Sequence, residues 1–163
     1  MILQIEDWKF DIDLQRTMEY SSQEAADHCD CAYCRNFYTA VDKVCRYLRP
    51  FLAQFGLDVE APDVLYPYDI DGKMCYEGEY LVFGSIIERG KHAITVGSAY
   101  VEPMEKSTHE HDAAHFVLSL ENLEISWELD EPLEDVISTA NEPSFIQKMW
   151  DRLLTRGEKT EKQ

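Results

Sequence analysis

Between Tyr80 and Val101 the chain carries two long apolar runs, residues 80–88 and 93–101, rich in β-branched and aromatic side chains. Only Arg89-Gly90-Lys91-His92 divides them. Runs of this composition and length are strands, and the four polar residues between them predict a hairpin loop. Gly84 and Gly97, inside the runs, mark bulges or places where another backbone comes close. Near the start, Trp8, Phe10, Ile12 and Leu14 alternate with Lys9, Asp11, Asp13 and Gln15, the period of a strand with one dry face. Later, Phe116, Leu118 and Leu120 and then Leu123, Ile125, Trp127 and Leu129 alternate with polar partners, which predicts two more strands joined as a hairpin.

Helical spacing occurs in two places. Phe37, Val41, Val44 and Leu48 recur at steps of four, three and four, placing them on one stripe of a helix that begins near Cys34. Pro50 is expected to end or kink it, and Gly56 suits the left-handed residue that closes the segment. Ser21 and Glu24 have the spacing of a capping box upstream of it. The second helix is expected after Pro143, with Phe145, Ile146, Met149, Trp150, Leu153 and Leu154 on its apolar face. Residues 57–79 read as an irregular connection with a turn at Asp71-Gly72.

Strand, helix, four strands, helix is not the alternation of a parallel sheet. The order predicts an α+β fold: one antiparallel sheet of about five strands, with the N-terminal-half helix and the C-terminal helix packed on one face. Residues 1–155 are expected to form a single domain and residues 156–163 a charged flexible tail. In a chain of 163 residues, 45% apolar residues with 12% aromatic ones are enough for a real core.

The charge excludes several functions. Thirty-two acidic residues against 15 basic ones give a formal charge of −17, the wrong sign for phosphate backbones and anionic membranes. No nucleic acid and no membrane is expected as a partner. The first twenty residues lack the basic start and apolar run of an export signal, and five cysteines cannot all pair within one chain. A reducing, cytoplasmic location is the expectation.

One local string has chemical specificity: His28-Cys29-Asp30-Cys31-Ala32-Tyr33-Cys34-Arg35-Asn36-Phe37. A C-x2-C pair can place two thiolates on one tetrahedral metal, with His28, Cys45, Cys75 or a distant histidine completing the set. Sulfur-rich sites of this kind select zinc, so the candidate metal ligands are Cys29, Cys31, Cys34 and His28. A second C-x2-C, which a zinc ribbon requires, is missing. Alternatively, Cys31 and Cys34 form a redox pair at a helix N-terminus, where the dipole and Arg35 favour thiolate. A third possibility is purely structural, since Cys34 and Cys45 fall on the helix stripe and suit a core. Asn36 and Asp30 fit helix-entry roles.

The run H-C-x-C-x2-C-R-N-F, followed by F-G-L-D and by Tyr76, Gly78, Tyr80 and Gly84 spaced Y-x-G-x-Y-x3-G, resembles a family of uncharacterised bacterial proteins over about residues 20–90. The resemblance implies that the three cysteines are one unit. It implies no activity.

Other strings fall short of a site. His109-Glu110-His111-Asp112-Ala113-Ala114-His115 fails the H-E-x2-H pattern because Asp112, not Glu, follows His111, and His115 is expected to point outward from the start of a strand. No nucleophile elbow, phosphate loop or dinucleotide fingerprint is present, and no catalytic residue is assigned. Acidity is concentrated between Glu102 and Glu142, where twelve carboxylates face only Lys106. The expected function is therefore a non-enzymatic acidic binding protein, immunity-like, that meets a basic protein partner through Glu124, Glu128, Asp130, Glu131, Glu134 and Asp135. The alternative is a zinc-binding or thiol-redox protein using Cys29, Cys31 and Cys34.

Overall fold

A computed structural model describes residues 1–26, 29–71, 73–105 and 111–133. The chain divides into two compact units, Met1–Glu128 and Leu129–Gln163. Of the second, only residues 129–133 are described, so the expected C-terminal helix, the tail, Glu134 and Asp135 lie outside the described residues, as does His28.

Among the described residues the first unit is α+β, with one antiparallel sheet and three helices. Its strands are β1 (Ile2–Ile5), β2 (Trp8–Ile12), β3 (Val64–Ile70), β4 (Lys73–Glu88), β5 (Ile94–Val96), β6 (Ala99–Met104) and β7 (His115–Glu124). The helices are α1 (Leu14–Ala26), α2 (Ala32–Val44) and α3 (Leu48–Ala53). Strand order is β1-β2-β4-β7-β6-β5, with β3 also paired to β4. The sheet thus has seven strands rather than the five expected, and the differences have local causes. β1 is a short exposed strand without a buried alternation, and β3 lies in the stretch expected to be irregular. A turn is found at Asp71, at φ 53, where it was expected, but it joins β3 to β4; Gly72 lies outside the described residues.

Two expected hairpins regroup. Residues 93–101 do not pair with β4; they fold on themselves as β5 and β6, and β6 pairs with β7. The connection after β4 is instead tied to the β1–β2 turn, where Lys91 N–H donates to Asp7 and the Trp8 indole donates to the His92 carbonyl at 2.9 Å. The first alternating pattern is β7, which runs on through Leu123 and Glu124 of the second; the rest of the second pattern, residues 125–129, is not strand. Tyr76 faces Leu123 and Gly78 faces Leu120, so two steps on β4 meet three on β7. The extra residue is accommodated around Asn122, at φ 51. This bulge resets the alternation and returns Leu118, Leu120 and Leu123 to the same dry face.

Helix α1 begins seven residues before Ser21. Asp13 starts it, accepting from the N–H of Arg16. The buried positions of α1 are Thr17 and Ser21, polar residues that carry no hydrophobic signature. Helix α2 ends before Cys45, and Pro50 sits in the first turn of α3, where a missing N–H costs nothing. Gly56 closes that segment at φ 81.

Helices α2 and α3 cover one face of the sheet. Phe37 of α2 lies against Tyr76 of β4, and Phe55, just past α3, meets Phe10 of β2 and Phe116 of β7 at ring separations of 5.2 and 6.5 Å. The side chains on this face, among them Trp8, Phe10, Phe37, Leu48, Tyr76, Tyr80 and Phe116, are at most 2% exposed and form the core. At about 25 cal/mol per Å² their burial is the main favourable contribution to folding. Among the described residues no helix is long and apolar enough to cross a membrane.

Strand β4 organises the rest. Along one edge it pairs with β7; along the other it pairs first with β3 and then with β2. Between these two partners the edge is filled from α1 and its surroundings. The Asp63 carboxylate accepts from the Leu81 N–H at 2.7 Å, and the Thr17 hydroxyl accepts from the Phe83 N–H at 3.1 Å. Asp63 N–H donates to the Glu79 carbonyl and Asp13 N–H to the Phe83 carbonyl. Gly84 then lets the backbone of β2 approach: a Cβ there would lie 2.0 Å from the Asp11 carbonyl oxygen.

Candidate metal centre

The residues of the thiol string enter α2 from an irregular segment. Cys31 is the residue at the helix N-cap, with extended backbone (φ −70, ψ 156), and its carbonyl accepts from the Arg35 N–H as the first helical bond. Cys34 falls three residues later, on the first turn and on the inward side of the helix. Cys29 precedes the cap by two residues. The three sulfur atoms lie within 4.8 Å of one another, with Cys29 and Cys31 exposed and Cys34 buried.

Zinc holds thiolates at about 2.3 Å, which places sulfurs in a tetrahedral site about 3.8 Å apart. A contraction of at most about 1 Å would bring all three sulfurs onto one ion, well within rotamer adjustment of two exposed side chains. The donor set therefore fits a thiophilic metal.

Electrostatically the cluster is asymmetric. The Cys31 thiol is drawn well below its ordinary value, chiefly because Cys34 donates a hydrogen bond to its sulfur, against the opposing effect of burial. The first-turn N–H groups of Cys34 and Tyr33 and the Cys29 thiol add to this. Cys34 is displaced upward by the same hydrogen bond, by burial and by the charge on Cys31. One sulfur is thus set to be the anion and its neighbour the donor.

Tyrosines surround the cluster. Tyr38 and Tyr33 are both raised, first by burial and then by cysteine charge, from Cys34 for Tyr38 and from Cys31 for Tyr33. Tyr76, on β4, donates to the Tyr33 carbonyl at 2.9 Å and accepts from the Asn36 amide at 3.1 Å. Asn36 is fully buried; its amide also donates to the Ser126 carbonyl, and its carbonyl oxygen accepts from the Glu128 N–H at 2.7 Å. The Trp127 ring stands edge-on to Tyr33. This network bolts the first turn of α2, and with it the cysteines, to β4 and to the segment after β7. Sequence reasoning gave Asn36 only a helix-entry role; its one legible signal is its position inside the cysteine string, one residue before Phe37 of the core stripe.

The other proposed ligands do not join the cluster. Cys45 is buried at the far end of α2, about 20 Å along a 13-residue helix, with its thiol on the Val96 carbonyl. Cys75 adjoins Tyr76 on β4 and projects to the opposite face of the sheet, beside Glu124. The core role expected for Cys34 and Cys45 holds, at 6% and 2% exposure, and Cys34 combines it with membership of the cluster. His115 opens β7 and its Nδ1 donates to the Ala113 carbonyl at 2.8 Å, while the His111 ring packs on Phe83.

Of the acidic residues proposed as a partner surface, Glu124, Glu128, Asp130 and Glu131 are among the described residues. Glu124 pairs with Lys73 at 3.2 Å. Glu128 pairs with Lys43 of α2 at 2.9 Å, on the helical side. Asp130 and Glu131 are exposed in the second unit. Basic residues of α2 and the segment after it are paired within the unit: Arg35 with Asp30, Lys43 with Glu128, and Arg49 with Asp42, Asp58 and Glu60. On the sheet face opposite α2, Glu121 is held above the usual carboxylate range by burial and by the charges of Glu77 and Glu102.

Searches against protein-family models, curated proteins and solved structures return no match for this chain.

Proposed function

We propose that this protein binds a thiophilic metal ion, zinc first, through Cys29, Cys31 and Cys34. One observation carries the reading: three sulfurs from a six-residue segment converge to within 4.8 Å at a helix entry held by a buried polar network. Sulfur donors select zinc and other soft ions over magnesium or calcium. The Tyr76–Asn36 network plays the supporting part, fixing where the ligands start on the helix so that little order is lost on binding.

The test is metal content. Reduced full-length protein, mixed with zinc ion and freed of excess, is expected to retain about one zinc per chain and to have its two exposed thiols, Cys29 and Cys31, protected from alkylation under native conditions. Replacing any one of the three by serine is expected to weaken zinc binding by more than the roughly 10–100-fold that loss of a supporting group costs. Retention of no zinc, or zinc held equally well by the three serine variants, would overturn the proposal.

A further inference from the structure

We infer that Cys31 and Cys34 also form a dithiol that reduces low-molecular-weight disulfides, and that this reaction and the metal compete for the same two sulfurs. The second half of the inference rests on the metal reading; the first half stands on the helix geometry.

Residues three apart on a helix have Cβ atoms about 5–6 Å apart, and a small closure brings them to disulfide distance, about 3.8 Å. Here the cap residue Cys31 is exposed and Cys34, on the first turn, is buried, with their sulfurs already inside the 4.8 Å cluster. An incoming disulfide must approach in line with the sulfur it meets, so a molecule from solvent reaches Cys31 and not Cys34. Once Cys31 carries the adduct, Cys34 is the neighbouring thiol positioned against it from below. Cys29, outside the helix, is spare in this reaction but necessary for a third metal bond.

The chemistry balances as two exchanges. The Cys31 thiolate attacks one sulfur of R–S–S–R; an S–S bond breaks, a Cys31–S–R bond forms, and RS⁻ leaves. Cys34 sulfur then attacks Cys31 sulfur, the second RS⁻ leaves, and the Cys34 proton is taken up by a departing thiolate. Two protein thiols are oxidised by two electrons, and one disulfide is reduced to two thiols. When a metal occupies the cluster, both protein sulfurs are tied up as ligands, and formation of the Cys31–Cys34 disulfide removes two of the three ligands at once. The metal must then leave.

Glutathione disulfide, added to reduced, zinc-loaded, full-length protein, is the probe. The expected result is one zinc released, measured with a colorimetric chelator, for each Cys31–Cys34 disulfide located by peptide mapping under non-reducing conditions. Excess zinc is expected to slow the reaction at least tenfold. In Cys29→Ser the disulfide should still form although zinc retention is poor, and in Cys34→Ser the glutathione adduct should persist on Cys31. A disulfide mapped to another pair, or zinc retained while the Cys31–Cys34 disulfide forms, overturns the inference and leaves the metal reading intact. A chain that never holds zinc yet forms the disulfide overturns the metal reading and the competition with it.

Discussion

Asn36 anchors the candidate site, because it satisfies three partners in two other segments at once. Removing its side chain breaks three hydrogen bonds, to the Tyr76 hydroxyl, the Ser126 carbonyl and the Glu128 N–H, each contributing about 0.5–1.5 kcal/mol. Asn36→Ala is therefore expected to lower unfolding free energy by about 2–4 kcal/mol in urea melts and to weaken zinc binding together with it. Tyr76→Phe makes a finer probe. It deletes only the hydroxyl that holds the Tyr33 carbonyl, so a loss of about 1 kcal/mol with a larger proportional loss of metal affinity is expected. Equal, proportionate losses would mean the hydroxyl supports the fold but not the site. The cysteines themselves were legible from spacing alone. Asn36 and Tyr76 were not, because a buried polar residue advertises itself through partners distant in the chain, 40 and 90 positions away for Asn36.

Elements were legible where a period ran unbroken and illegible where it was interrupted. β2 follows its alternation as far as Ile12, where Leu14 and Gln15, read as its continuation, open α1; α2 buries Phe37 and Val41 of the expected stripe, while Val44 is exposed and Leu48 falls in α3. β7 was divided in two because the bulge at Asn122 shifts the phase by one residue, and the sequence pattern cannot tell a shifted strand from a second one. α1 was placed late because its inward positions, Thr17 and Ser21, bond to backbone groups of other segments instead of packing apolar surface. Gly84 supplies the sharpest prediction at this scale. An added methyl would meet the Asp11 carbonyl at 2.0 Å, with the backbone already at φ 137. Gly84→Ala is expected to cost about 3–5 kcal/mol, through steric overlap and the unfavourable backbone conformation together, seen as a lower urea midpoint. A loss below about 1 kcal/mol would mean that β2 can withdraw from β4 freely.

For the whole molecule, exposed ion pairs do little for stability. Glu124 pairs with Lys73 and Glu128 with Lys43, and exposed pairs of this kind contribute at most about 1 kcal/mol each. Stability at high pH should be governed instead by tyrosines. Burial and the Asp63 hydrogen bond raise Tyr20, and burial raises Tyr76 and Tyr80. A raised folded-state value means that the stabilisation is complete below the unfolded value, near 10, and is lost as pH climbs from there toward the folded values. The melting temperature is thus expected to fall from about pH 10 upward, and less steeply in Tyr20→Phe; a flat profile to pH 12 would contradict the assignment. The filled gap on the edge of β4 also bears on how copies of the chain behave in company. Between β3 and β2, donors and acceptors that another polypeptide could adopt as a template are already satisfied by Asp63, Thr17 and Asp13. Stripping Thr17 and Asp63 of their side-chain oxygens would uncover that stretch, and the first sign of the loss would be concentration-dependent fibrous aggregation, read by light scattering, before any loss of helix.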